Sequence, residues 1–338
     1  MSQVLSEPVE ELDALTPEAL RQFQEDGFAG PFDGEISEED IDAMRALMLD
    51  FIHKKSDHPL YGRYSVRDWH LVYPQFTALI RQSPVLTKLR QIMGHDLTVW
   101  RSKIFHKRAG EGPLDWHQDW GEFRGEEIGN DKPSLRPRNQ SDGYWNITIW
   151  FALEDVGLKK GPMQFVRGSF RTYYPLELIP MVDSAFWHDP FLDVHDKQTL
   201  VERCVASQLV LDMDTSSLFD NVDVDARTFE ELKEIVLDHF RNIKAAINPT
   251  FEVPEGKMVT IPIKKGQFII FSERTMHRSD ANTTDEERTA INFRVTYSDT
   301  LVYPSRLEGD FIDSSNVDIT NHRCLLLSGE NLNTENKY

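Results

Sequence analysis

The chain is short of cysteine, of positive charge and of long apolar runs. Two cysteines in 338 residues, Cys204 and Cys324, are too few for a disulfide scaffold and stand at no zinc-ligand spacing, so both are expected to be plain thiols. Lys and Arg total 37 against 56 Asp and Glu, a formal net charge of −19. Such a surface repels polyanions, which excludes non-specific nucleic-acid binding unless a local basic patch intervenes. No apolar run is long enough to span a bilayer. Residues 1–7 lack the basic segment followed by an apolar one that marks a secretion signal. A cytoplasmic protein with no membrane partner is the default expectation. There is no internal repeat and no low-complexity segment. What is present is 40% hydrophobic residues, with seven Trp among the aromatics. That is enough for a substantial core, in a length that an all-β unit can use as one domain.

Helical signals come first. Thr16 can cap a helix opened by Pro17, with Leu20 and Phe23 facing the core and Gly27 ending it. A second helix follows Ser37, its apolar stripe being Ile41, Met44, Met48 and Phe51 or Ile52. A third opens at Ser83-Pro84, carries Leu86, Leu89 and Ile92, and stops at Gly94. These form a helical N-terminal cover over residues 15–95. From Asp96 to Lys107 the pattern turns strand-like and leads through the turn at 110–113 to a strand holding His117. Residues 121–143 are polar, as at the rim of a site. Between Trp145 and Leu153 the chain alternates. Ile147, Ile149, Phe151 and Leu153 would pack on helices, while Asn146, Thr148, Trp150 and Ala152 line the other face. A helical insertion or lid spans 171–250; in it Thr228 and Glu231 make a capping box for a helix expected to run to Ile247, near Pro249. Residues 258–263 and 267–271, around the turn Lys264-Lys265-Gly266, read as a hairpin that delivers His277. Residues 288–297 give the next strand, with Arg288, Ala290, Asn292 and Arg294 on one face.

Strands separated by turns, with no βαβ rhythm, predict a mainly β protein with flanking helices, a double-stranded β-helix or cupin-like jelly-roll. One domain over 1–328 follows, its core at 97–170 and 257–305, with a polar and disorder-prone tail at 329–338.

The chemistry centres on Asp115-Trp116-His117-Gln118-Asp119. In an extended strand His117 and Asp119 project to one side, and His277 supplies a third ligand if the fold returns there. Two imidazoles and one carboxylate on one face of an ion leave the opposite positions open, the pattern of non-haem Fe(II) oxygenases, which need O2 and a reductant. Arg288 stands eleven residues after His277, across a polar turn. There it can grip the far carboxylate of a dicarboxylic co-substrate, 2-oxoglutarate, whose other end chelates iron. The alternatives are a hydrogen-bonded surface pair for His117 and Asp119, and an exposed ion pair of Arg288 with Glu286 or Glu287.

This His-X-Asp, the later His and the Arg eleven residues beyond resemble the phytanoyl-CoA dioxygenase-like branch of Fe(II)/2-oxoglutarate oxygenases. The likeness runs from Thr16-Pro17-Glu18-Ala19-Leu20 through Gly161-Pro162-Met163-Gln164-Phe165 to Arg294. Residues 100–105 and 144–150 are most similar to the group of aliphatic halogenases and related hydroxylases. The resemblance implies Fe(II), 2-oxoglutarate and O2, and hydroxylation of an unactivated C–H of a small metabolite, a free amino acid or derivative. It also implies 2-oxoglutarate contacts from Ser279 and Trp150, the latter with core packing as its alternative, and a position near the metal for Arg294. Halogenases of that group carry Ala or Gly where Asp119 stands, so a carboxylate there implies hydroxylation rather than chlorination. Desaturation or ring closure at the same iron, and a cupin-like binding protein without turnover, are the rival readings. Carrier proteins of the halogenase pathways are acidic, so the charge disfavours a carrier-tethered substrate; the oligomeric state is not legible. Glu122, Arg124, Asp142 and Arg171 flank the ligand strands without being singled out as substrate contacts. His106, His188 and His195 lack a partner at useful spacing and read as solvated or core residues.

Overall fold

The computed structural model describes residues 13–119, 134–136, 146–184, 187, 189–209, 215–248, 250–304 and 319–338. Four helices open the chain: α1 (Pro17–Asp26), α2 (Glu38–Lys54), α3 (Pro74–Ile80) and α4 (Ser83–Met93), with strand β1 (Phe28–Phe32) between the first two. Thr16 and Ser37 cap α1 and α2 through their hydroxyls, and Gly27 ends α1 with φ 86°, as the residue types dictate. The remaining strands are β2 (Leu97–Lys107), β3 (Leu135–Arg136), β4 (Asn146–Ala152), β5 (Met163–Val166), β6 (Glu177–Pro180), β7 (Lys244–Ile247), β8 (Met258–Ile261), β9 (Phe268–Ser272), β10 (His277–Ser279), β11 (Arg288–Tyr297), β12 (Leu301–Val302) and β13 (Leu325–Ser328).

The larger sheet has the order β1-β9-β4-β11-β2-β13 and the smaller one β10-β5-β8, both antiparallel. The fold is a jelly-roll flanked by helices. Period-two alternation divides the larger sheet's side chains between two cores. Ile147, Ile149, Phe151, Phe268, Ile270, Ile291 and Phe293 pack outward against Phe23, Met44, Met48, Phe76 and Leu89 of the helices. Trp150, Ala152, Ile269, Phe271 and Ala290 point inward and meet Met163, Phe165 and Ile261 of the smaller sheet. Each such large side chain contributes about 1.5–3 kcal/mol of burial, and that fixes the register. A one-residue slip of β11 would turn Arg288 and Arg294 into the helix-facing core. No helix among the described residues is long and apolar enough to cross a membrane.

Four expectations need correction. The segment Phe28–Phe32, inside the expected helical cover, is the edge strand beside β9. The segments around Lys264-Lys265-Gly266 are not a hairpin: β8 pairs with β5 and β9 with β4 and β1. The turn is a corner between sheets, because Ile261 and Ile269 face each other across one core. In the insertion, the capping box of Thr228 and Glu231 is present, but the helix ends at Asn242. Residues 244–247 then pair with β6, since the chain turns extended at Ile243, φ −85° and ψ 134°. A shorter helix, Lys197–Val205, and a separate apolar core around Leu200, Phe219, Val236 and Phe240 complete the insertion. The tail at 329–338 is held by polar bonds: Tyr338 Oη lies 2.9 Å from Thr98 Oγ1, and Asn336 bonds both the Thr300 carbonyl and the Val302 amide. Both cysteines are buried free thiols, and burial pushes Cys204 up to about 12.

Candidate metal centre

The His117 segment is no regular strand; it joins the sheet through one narrow pair. His117 and His277 exchange both backbone hydrogen bonds at 3.0 Å, Leu114 N–H donates to the Ser279 carbonyl at 2.9 Å, and Asp119 N–H donates to the Glu273 carbonyl at 2.7 Å. Gln118 points the other way and is buried, its amide donating to the Thr172 carbonyl at 2.8 Å and to the Arg274 carbonyl at 2.5 Å. Anchoring Gln118 on one side leaves His117 and Asp119 together on the other. His277 arrives on β10, which is held to β5 opposite Phe165.

The trio converges. His117 Nε2 lies 4.0 Å from Asp119 Oδ1, and His277 Nε2 lies 3.7 Å from Asp119 Oδ2. All three donor atoms fall within 4.8 Å of one another. Each imidazole has its Nδ1 against a backbone carbonyl, that of Asp115 at 2.7 Å for His117 and that of Thr275 at 2.8 Å for His277. A carbonyl only accepts, so both Nδ1 atoms carry the proton and both Nε2 lone pairs face the gap. Burial lowers both imidazoles, His277 to about 4 with help from neighbouring His117, so both are neutral at pH 7. Burial works to raise the Asp119 carboxyl, but Arg294 with the two imidazoles outweighs it and holds the group at about 2. Two neutral nitrogens and one carboxylate, oriented from behind, are a donor set fit for a divalent iron.

Around the trio the barrel's inner face is cationic. Arg294 Nη2 sits 2.8 Å from Asp119 Oδ1. Arg288, on the same face of β11, is buried, spreads over the Trp150 ring at 5.5 Å and donates to the Gly161 carbonyl at 3.2 Å. Its Nε has no hydrogen-bond partner among the described residues, and a buried N–H left this way costs about 1–3 kcal/mol until an acceptor fills the site. Gly161 is required there. Its φ is 66°, and a Cβ would come within 2.9 Å of Lys107 Cδ. Lys107 pairs with Arg288 across β2 and β11; burial, then the charge of Arg288, lowers it to about 8. Arg288 and Lys107 thus stand as two buried cations side by side, Lys107 Nζ donating to the Gly112 and Asp280 carbonyls at 2.6 and 2.8 Å.

The structure thus brings together His117, Asp119, His277 and Arg294, and places Arg288 with Trp150. Ser279 follows His277 by two positions on β10, on the same side and buried. Arg171 is directed elsewhere: it donates to the Gln24 carbonyl at 2.8 Å and covers Phe170. Glu122, Arg124, Asp142 and His188 lie outside the described residues, and His195 is exposed. His106 does have a partner, Glu287, at 2.7 Å. Sequence reasoning also missed Lys103 and Lys107. Their signal was available, because both stand at inward positions of a strand whose alternate residue, Ile104, faces the helices. Lys103 is near enough to lower both Asp119 and His117.

Residues 23–206 and 218–290 match the phytanoyl-CoA dioxygenase (PhyH) family. A probable alpha-ketoglutarate-dependent hypophosphite dioxygenase of Stutzerimonas stutzeri is 26% identical over 106 residues, 31% of this chain and 32% of that protein. The alignment therefore spans about a third of that relative. Among solved structures, CytC3 with Fe(II) and alpha-ketoglutarate superposes with a TM-score of 0.59 at 17% identity, over 96% of this chain and 93% of that one. The non-heme monooxygenase ThoJ gives 0.55 at 17%, over 92% and 84%. At these identities the structural likeness is one of fold.

Proposed function

Because the chain belongs to the phytanoyl-CoA dioxygenase family, we propose that it is an Fe(II)/2-oxoglutarate-dependent dioxygenase that hydroxylates an unactivated C–H of a small metabolite, a free amino acid or derivative. The observation that carries this reading is the convergence of His117, Asp119 and His277 within 4.8 Å. When bound, ferrous iron with 2-oxoglutarate and O2 supplies the oxidising power, releasing succinate and CO2.

The chain's own contributions are holding, orienting and excluding water. His117, Asp119 and His277 are the iron ligands, their Nε2 and Oδ atoms aimed inward by the carbonyls of Asp115 and Thr275 and by Arg294. Arg288 receives the distal carboxylate of 2-oxoglutarate, with Nε, which has no partner among the described residues, as a donor. Gly161 keeps the space beside Arg288 open, and Trp150 forms its floor. Phe165 and Phe271 flank His277 at ring distances of 6.1 and 4.7 Å, walling off water. Lys103, beside the trio, supports an acidic end on the substrate, as an amino acid has.

The test is 2-oxoglutarate consumption and succinate formation with Fe(II), ascorbate and a panel of amino acids, read by mass spectrometry. A product heavier by one oxygen is expected, with succinate falling to background in His277→Ala. Full succinate formation in that variant would overturn the assignment, and loss of two hydrogens from the substrate would convert hydroxylation into desaturation or cyclisation.

A further inference from the structure

On the outer wall, three side chains from distant parts of the chain meet at one point. Glu287 Oε2 lies 2.9 Å from His53 Nε2 and 2.7 Å from His106 Nε2. The donor atoms all fall within 4.8 Å of one another, and the two rings meet edge to face at 5.8 Å. We propose that His53, His106 and Glu287 form a second divalent-cation site, a zinc-type staple tying the last turn of α2 to the outer face of the β2–β11 pair.

The donor set suits that ion. Zinc bonds to imidazole nitrogen and carboxylate oxygen are about 2.0–2.2 Å, which puts tetrahedral donors roughly 3.3 Å apart. The observed 2.7 and 2.9 Å are contacts bridged by protons, so an ion replacing those protons needs an outward shift of about half an ångström. Protonation favours the exchange. Burial lowers His106 despite the opposing pull of Glu287, and the two imidazoles hold the Glu287 carboxyl down against the effect of its burial. The site therefore offers an unprotonated imidazole and an ionised carboxylate at neutral pH, the forms a metal takes. His53 is the open side, its side chain 55% exposed against 18% for His106 and 28% for Glu287, so water completes the fourth position.

Location gives the staple its meaning. Residues 106 and 107 point to opposite faces of β2, so the outer site lies back to back with Lys107 and Arg288. It closes a gap between elements 234 residues apart, His53 and Glu287, that no strand pairing spans. Because the three donors meet only in the folded chain, an ion bound there stabilises the fold by the free energy of its binding.

The test measures bound Zn2+ per chain by equilibrium dialysis and metal analysis on the full chain, with Zn2+ alone as the probe. Expected are two ions for the wild type, one for His117→Ala, one for His53→Ala and none for the double variant. Zn2+ should raise the melting temperature of His117→Ala and leave that of the double variant unmoved. Two ions retained in His53→Ala, or no ion and no Zn2+-induced shift in His117→Ala, would overturn the outer site. A wild type that binds a single ion, lost in His53→Ala, keeps the outer site and removes the inner one, so the two assignments fail separately.

Discussion

The trio inside the barrel and the trio on its outer wall share a donor set, two imidazole nitrogens and a carboxylate oxygen, but their surroundings differ. Inside, each imidazole is turned by a backbone carbonyl, and the carboxylate is paired with Arg294 rather than with the imidazoles. The two imidazole nitrogens consequently stand 4.0 and 3.7 Å from the carboxylate oxygens instead of at hydrogen-bond distance. Outside, Glu287 is paired with no guanidinium among the described residues and takes its bonds from the two imidazoles themselves, drawing the group to 2.7–2.9 Å. Arg294, which pairs with the inner carboxylate, shares its face of β11 with the buried cation Arg288, while the outer trio is partly exposed. A ligand set alone thus says only that an ion can bind. Chemistry at that ion needs free coordination positions and a second anchored reactant, and on the inner face of β11 Arg288 is the anchor the proposed function calls for.

Removing that anchor should have the largest effect. Arg288→Ala takes away a buried partner of a carboxylate, a loss of about 2–5 kcal/mol, so the KM for 2-oxoglutarate should rise roughly 30-fold or more. Arg288→Lys should recover only part of this, because an ammonium cannot grip a carboxylate in two places. Steady-state kinetics in varied 2-oxoglutarate reads both variants, and an unchanged KM in Arg288→Ala would separate Arg288 from the co-substrate.

A smaller effect is expected from Arg294→Gln, which makes the inner trio resemble the outer one by freeing Asp119 to bond the imidazoles. Groups that orient a ligand are worth about 10–100-fold in metal affinity. Anaerobic Fe(II) titration should therefore show weakening at the lower end of that range, with Zn2+ at the outer trio unaffected. Equal iron affinity would mean that the carbonyl-held imidazoles suffice to keep the gap open.

The two regions were unequally legible in the sequence, for a physical reason. His117 and Asp119 are neighbours on one extended segment, and alternation alone puts them together. Arg288 and Arg294 followed from the same rule, since Ile291 and Phe293 declare which face of β11 meets the helices. His53, His106 and Glu287 share no element. His53 sits in the last turn of a helix whose stripe is set by Met44, Met48 and Phe51, and its meeting with β2 depends on how that helix lies across the sheet, which periodicity does not encode. The corner at Lys264-Lys265-Gly266 was misread for a related reason: a turn between two β segments looks the same whether they pair or diverge into facing sheets. The tail was missed because Asn336 and Tyr338 hold it by polar bonds, which leave no apolar pattern.

A third set of the same residue types sharpens the comparison, with an effect on folding rather than on turnover. Asp68, His70 and His322 are buried together in the core, but the carboxylate is already occupied by the Tyr61 hydroxyl at 2.6 Å and the Ser102 amide at 2.8 Å, and His70 Nδ1 contacts Ser102 Oγ at 2.7 Å. The donors do not converge, so this set should bind no ion and should instead register pH. Burial lowers His70 from 6.5 to about 4, against the pull of Asp68. Between those values the unfolded chain holds the proton and the folded one does not, so stability rises with pH across that window. His70's contribution is therefore complete above about 6.5. It declines as pH falls through the window, and below the folded value no further change comes from this group. At about 1.4 kcal/mol per unit, the loss attributable to His70 is on the order of 3 kcal/mol. Urea unfolding of the wild type and His70→Gln at pH 7 and pH 4.5 should show a shallower pH dependence in the variant. Parallel curves would mean that His70 is protonated within the fold, and that a buried imidazole beside Asp68 behaves no differently from one in water.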